Sequence, residues 1–273
     1  EPELDLSHYQ HNQTVQNVLR NILGNEPADL QLQFQTDVQR TYHVFEFNHS
    51  QVEVCLDDGE IRTVKDQAKI CEVEFELKQG SAQDLIEFAQ TWVDKYQLWL
   101  DVRSKAERGN SLAIEKKSSP AAKAKSLKLD PNLSAEQALK LVIENGLNHI
   151  LPNAAAIAGG VAEADHIHQA RVGLRRLRSA LKHFSNWSEH INPAWESELA
   201  DIFRALGQSR DHDAIRDSVI PLIKEVCDFD FALSSSTDPE IATRLSNTQT
   251  TQLFLSLLSF IHSENEAKAK LSK

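Results

Sequence analysis

Carboxylates recur at every second position of CEVEFELK, residues 71–78: Glu72, Glu74 and Glu76, then Lys78. Alternate side chains of a strand share a face, so these four stand on one side and Val73, Phe75 and Leu77 on the other. Like charges in a row repel, and a plain solvent face gives no reason for them. A hard divalent cation does, because Mg²⁺ or Mn²⁺ binds through carboxylate oxygens and bridges them to phosphates. A second row is cationic. HIHQARVGLRRLRSALKHF, residues 166–184, reads as one helix, and its spacing puts His168, Arg171, Arg175, Arg178 and Lys182 on a single face. Neighbouring like charges there cost about 0.2–0.5 kcal/mol per pair, so the row implies an anionic ligand. Arginine suits a phosphate, since its guanidinium bonds two oxygens at once and keeps its charge. Leu174, Leu177, Leu181 and Phe184 form a separate apolar stripe for a core. The reading requires both rows to be cancelled by phosphates and their counter-metal, not by partners inside the protein.

The elements that carry these rows fall into two kinds. QLQFQTDVQRTYHVFEF, QVEVCLDDGEIRTV and KICEVEFELKQG alternate as successive antiparallel strands, with turns expected at Asp57-Asp58-Gly59 and Gln79-Gly80. QTVQNVLRNIL reads as a short helix before them, and SAQDLIEFAQTWVDKYQLWL as an amphipathic helix capped by Ser81. IEKKSSPAAKAKSLKLDPNLS is poor in large apolar side chains and reads as a tether. Helices follow: one opening at Ser134 and breaking at Pro152, the basic helix, PAWESELADIFRALGQS, RDHDAIRDSVIPLIKEVC, and a last one over DPEIATRLSNTQTTQLFLSLLSFIHS. The expected fold class is α+β, an antiparallel β unit over 1–113, a linker over 114–126 and an all-α unit over 127–273.

Composition narrows the function classes. The 273 residues are 41% hydrophobic, 25% charged and 7% aromatic, as in a globular protein. A net charge of −11 opposes general nucleic-acid binding, so any anion site is local. No apolar run reaches membrane-spanning length, and EPELDLSHYQ has no leader pattern, so a cytoplasmic location is expected. Cys55, Cys71 and Cys227 lack ligand spacing and read as reduced core residues. The chain contains no Met, at position 1 or elsewhere, which reads as a fragment or as a chain with its methionine positions left out.

EVEFELKQG, preceded by VEVCLDDGEI and followed by RSKAERG, resembles the second half of a CYTH domain, the triphosphate tunnel family of metal-dependent phosphohydrolases, from about Leu30 to Leu112. The resemblance implies a closed antiparallel barrel with a triphosphate in its lumen. It implies Glu72, Glu74 and Glu76 as metal ligands, Lys78 and Lys105 as catalytic cations on the phosphates, and Arg40 and Arg108 as further phosphate holders. Glu53 becomes an inward acid of the substrate site. Ser104 reads as a strand or turn residue rather than a nucleophile. The family's N-terminal ExExK strand has no counterpart in EPELDL, so an incomplete tunnel is expected. HQARVGLRRLRSALKHF with ALGQSRDHDAIRD resembles a CHAD domain over about 127–262, which implies binding of long-chain polyphosphate by the basic helix with Arg210 joining. Arg176 points away from the stripe toward an ion pair or another helix. The implied activity is a Mg²⁺- or Mn²⁺-dependent inorganic triphosphatase acting on tripolyphosphate, with a non-catalytic polyphosphate-binding scaffold as the alternative.

Overall fold

The computed structural model describes residues 11–23, 32–214 and 239–263, with the backbone alone at 19, 20 and 208–214. After a short helix α1 (Gln13–Leu23), three long strands β1 (Gln35–Phe47), β2 (Ser50–Arg62) and β3 (Gln67–Gln79) form an antiparallel meander in that order. The first turn uses Asn48 in the left-handed region, φ 49°. In the second, the Thr63 amide donates to the Asp66 carbonyl and the Thr63 hydroxyl accepts from the Lys65 and Asp66 amides. Gly80, at φ 108°, ends the sheet where a turn was expected. The other expected turn is absent. Asp57, Asp58 and Gly59 lie in the middle of β2, with Arg40 opposite Asp57 and Val38 opposite Gly59. Glycine is required there because a Cβ would sit 2.1 Å from the Asp37 carbonyl oxygen. Among the described residues the sheet stays open, with β1 and β3 as edges, so the expected closed barrel is not seen.

One face of the sheet is apolar. Val52 and Val54 are buried with Phe45, Phe47, Val73 and Phe75 beneath Leu85, Phe88 and Trp92 of α2 (Ala82–Tyr96). Ser81 caps α2 by accepting from the Asp84 amide, and the Asp84 carboxylate accepts from Asn48 and Ser50, fastening the helix to the first turn. The opposite side of α2 buries Ile86 and Val93 against Leu255 of the last described helix, and Gln90 exchanges hydrogen bonds with Gln252 and Ser256 there. The α2 helix thus joins the sheet to the helical unit. Short α3 (Lys105–Ala113) crosses the polar face.

The helical unit contains α4 (Ala135–Ala158), α5 (Ala164–Phe184), α6 (Ala194–Ala214), α7 (Pro239–Leu245) and α8 (Thr248–His262). Its core includes Leu139, Ile143, Leu147, Leu174, Leu177, Leu199, Ile202 and Leu257. Ser134 and Gln137 close a capping box at the start of α4. The helix does not break at Pro152. It continues through the proline, and the Asn153 side chain donates to the His149 carbonyl within that turn. The expected last helix is two, because Asn247 caps α8 through the Thr250 amide. The stretch 210–227, expected as its own helix, is continuous with α6 to Ala214, and residues 215–238 lie outside the described residues.

The expected tether is pinned along its length. Asn153 bonds both the amide and the carbonyl of Ala122, Asn145 donates to the Lys125 carbonyl, and buried His166 meets the Ser119 carbonyl and the Ser118 hydroxyl. Nor do all three cysteines lie in a core: Cys55 is buried, Cys71 is exposed, and Cys227 lies outside the described residues. We expect Gly59→Ala to push β1 and β2 apart and to lower stability by about 1–3 kcal/mol. An unchanged urea midpoint would contradict the tight packing at this position.

Candidate functional site

Strand register builds the polar face of the sheet. Arg40, Asp57 and Glu72 lie in one cross-strand row, Cys55 pairs with Glu74 beside it, and Glu53 pairs with Glu76 beyond. The α3 helix supplies the roof. Ser104 caps it by accepting from the Glu107 amide, and Gly109 rests against the Phe34 ring, where a Cβ would lie 2.4 Å from the ring carbon. That seating brings Lys105 and Arg108, about one helical turn apart, over the carboxylates.

Asp57 is the hub, with a fully buried side chain. The Arg40 guanidinium grips it in bidentate fashion, Nε to Oδ1 at 2.7 Å and Nη2 to Oδ2 at 2.6 Å, and Lys105 Nζ meets Oδ2 at 2.7 Å. Arg40 also reaches Glu74 at 2.5 Å, Lys105 reaches Glu72 at 2.5 Å and Glu74 at 2.6 Å, and Arg108 pairs with Glu72. One ligand oxygen from each of Asp57, Glu72 and Glu74 falls within 4.8 Å of the other two, an all-oxygen set suited to a hard divalent cation. Glu76, expected as a third ligand, does not join them. It turns to Lys78 at 3.1 Å, which also pairs with Glu53 at 2.9 Å. Asp57 takes its place, a residue the sequence reading missed because Asp-Asp-Gly mimics a turn. Its signal was the alternation Glu53, Cys55, Asp57 along β2.

The electrostatics follow from this geometry. Hydrogen bonding to Arg40, with help from Lys105, overrides the effect of burial and holds the Asp57 carboxyl at about 2. Burial alone would lower the Lys105 ammonium, yet its bonds to Asp57, Glu72 and Glu74 carry it upward. Lys78 is raised by Glu53 and then Glu76. The three carboxylates are therefore matched by three cations of the same chain, against the expectation that these charges await a ligand.

The basic helix divides in a similar way. Arg178 Nε and Nη2 both donate to Glu196 Oε1 on α6, at 3.0 and 2.7 Å. Arg171 donates to the Phe203 carbonyl at 3.2 Å and lies 4.4 Å from the centre of the Phe203 ring, with Arg178 5.6 Å from the same centre. Both arginines thus help to join α5 to α6. Arg175 and Lys182 are exposed and His168 is half-buried. Arg176 reaches Asn145 of α4 at 3.5 Å. Leu174, Leu177 and Leu181 are buried as expected, whereas Phe184 stays 38% exposed. The side chain of Arg210 lies outside the described residues. No described helix is long and apolar enough to cross a membrane.

Comparison with known families decides the reading of both units. The CYTH domain family matches residues 2–109, and the CHAD domain family matches residues 141–268. The chain carries a CYTH domain followed by a CHAD domain. The acid–base cluster lies within the CYTH domain and the basic helix within the CHAD domain. The chain is also 40% identical over 82 residues to an inorganic triphosphatase of Haemophilus influenzae; that stretch is 30% of this chain and spans 23% of the relative's length.

The depressed carboxyl of Asp57 sets an acid sensitivity. Its folded value lies below the ordinary 3.8, so its stabilising contribution is complete above about pH 4 and is lost as pH falls toward 2. In metal-free buffer we expect this loss to amount to about 2 kcal/mol. Asp57→Asn flattens the curve in that window and costs about 2–3 kcal/mol at neutral pH, because Arg40 and Lys105 each lose one charged partner while keeping Glu74 and, for Lys105, Glu72. Parallel denaturation series from pH 5 to 2 check both outcomes, and superimposable slopes would refute the role given to Asp57.

Proposed function

We propose that the CYTH domain is a Mg²⁺- or Mn²⁺-dependent inorganic triphosphatase acting on tripolyphosphate, and that the basic face of α5 in the CHAD domain holds long-chain polyphosphate. The observation that carries the first half is the convergence of Asp57, Glu72 and Glu74 beneath Arg40, Lys105 and Arg108. Such a set suits a metal–phosphate complex better than either ion alone. The triphosphatase named for the Haemophilus influenzae relative adds support, as does the CYTH match.

Glu72, Glu74 and Asp57 would hold the metal, which when bound supplies charge neutralisation at the phosphate oxygens. The residues of this chain do the rest by exchange. Arg40, Lys105 and Arg108 release their carboxylate partners and take phosphate oxygens, while Lys78, beside Glu53, holds the far end of the substrate. Phosphoanhydride hydrolysis asks little covalent chemistry of a protein, mainly positioning and electrostatics. Water attacks the terminal phosphorus in line, the bridging oxygen leaves with pyrophosphate, and orthophosphate departs. Ser104 has no part, since its hydroxyl caps α3.

Two observations favour a second reading, in which the chain binds polyphosphate without hydrolysing it. The described sheet is open, and its carboxylates already have internal partners. Phosphate release from tripolyphosphate, ATP and long-chain polyphosphate, with Mg²⁺ and with Mn²⁺, separates the two. We expect metal-dependent release from tripolyphosphate that falls by about two orders of magnitude or more in Glu74→Gln. Wild-type turnover in that variant would overturn the assignment, and no turnover in the parent chain would favour the scaffold. For the basic helix, Arg175→Glu with Lys182→Glu alters exposed positions and spares Arg171 and Arg178, which join α5 to α6. Its retention on immobilised polyphosphate should fall while tripolyphosphate hydrolysis persists; unchanged retention would discard the stripe.

A further inference from the structure

A cavity of about 350 Å³ lies where the two domains meet, at the small end of the ligand-sized range. Its walls come from α3, the start of β3, the segment after α3 and the C-terminal end of α4. Lys69, Lys116 and Lys117 line it, and among the described residues none of these lysines makes an ion pair. All three are exposed, so their charges lie open to an incoming ligand. The one carboxylate in the lining is Glu107. Arg103 also lines the cavity, but its charge is matched by a bidentate pair with Asp101. Ser111, Ser118 and Ser119 also line it, with the Ser111 and Ser119 hydroxyls bonded to each other at 3.3 Å and the Ser118 hydroxyl to His166 at 3.4 Å. In a chain of net charge −11, three lysines against one carboxylate in the lining are a local excess of positive charge.

Arg108 connects this cavity to the acid–base cluster. Its Nη2 pairs with Glu72, while the same residue lines the interdomain wall. Its Nε is buried with no hydrogen-bond partner, a state that costs about 1–3 kcal/mol until an acceptor arrives. A ligand with acceptor oxygens repeated along its length could meet Arg108 and then the lysines in succession. A compact carboxylate could not extend from one to the other.

We propose that the interdomain cavity is a phosphoanion site, occupied by the phosphates of a linear polyphosphate that lie next beyond those at Asp57, Glu72 and Glu74. The inference rests on the triphosphatase reading of the cluster and extends it. The segment between the domains becomes part of the binding surface, and Lys116 and Lys117 set how well a long chain is held. Tripolyphosphate is short enough to be served by the cluster alone, so the cavity discriminates by chain length.

The test uses the whole chain and two probes, tripolyphosphate and a long-chain polyphosphate of defined length, with affinity read by calorimetry beside phosphate release. In Lys116→Glu with Lys117→Glu, affinity for the long chain should fall about tenfold or more and its salt dependence should flatten, as fewer counterions are released. Tripolyphosphate turnover should stay within about twofold of the parent chain. Lys116→Arg with Lys117→Arg should keep the long-chain affinity, and a matching thermal midpoint would exclude a folding defect. Unchanged long-chain affinity in the charge-reversed variant overturns the cavity assignment while leaving the cluster's reading intact. Absence of tripolyphosphate turnover in the parent chain counts against the cluster instead. An equal loss of affinity for both probes also overturns the proposal, because it would mean that the lysines act by general attraction.

Discussion

A carboxylate buried on a sheet must be answered by charge, and the structure around Asp57 is arranged to answer it. Arg40 from the neighbouring strand and Lys105 from α3 both close on that one group. Removing an ion from water costs several kcal/mol, and only good geometry with further hydrogen bonds recovers it. The bidentate fork of Arg40 provides that geometry, and Lys105 fixes α3 across the strands. Once those two cations are in place, Glu72 and Glu74 gain partners as a consequence of register, because Glu72 lies in the Asp57 row and Glu74 in the row beside it on the same face. The acidic pair on β3 is thus held by an acid on β2.

This arrangement reconciles two facts that the sequence sets at odds. Rows of like charge should repel, yet a folded chain must hold them before any ligand binds. Here each row is tempered by another element: the β3 carboxylates by Arg40, Lys105 and Arg108, and Arg178 of α5 by Glu196 of α6. Internal pairing of this kind keeps the ligand-free protein folded and leaves the charges within reach of exchange. On the proposed reading, substrate and metal enter by replacing partners rather than by filling a naked site.

Much of this was legible in the sequence. Period-two alternation located all three strands, and it put Glu72, Glu74 and Lys78 on the face where the structure has them. Capping residues located the starts of α2 and α4. The failures share a cause, since local punctuation was overruled by tertiary contacts. Asp57-Asp58-Gly59 has the composition of a turn, but the glycine serves the close approach of β1 and the first aspartate serves Arg40. Pro152 has the character of a helix breaker, yet α4 continues through it in a packed core. The segment after α3 has the composition of a tether, yet Asn145, Asn153 and His166 bind its backbone. Which cations would be consumed by internal partners was not legible, because Glu196 and Phe203 are distant in sequence from the arginines they meet.

The placement of α2 has one more consequence. Its Phe88 side is the lid of the sheet and its Ile86 and Val93 side is the seat of α8, so neither unit owns the helix outright. Severing the polypeptide between the units would leave a greasy strip on each half, and the separated pieces would tend to find each other again or to clump.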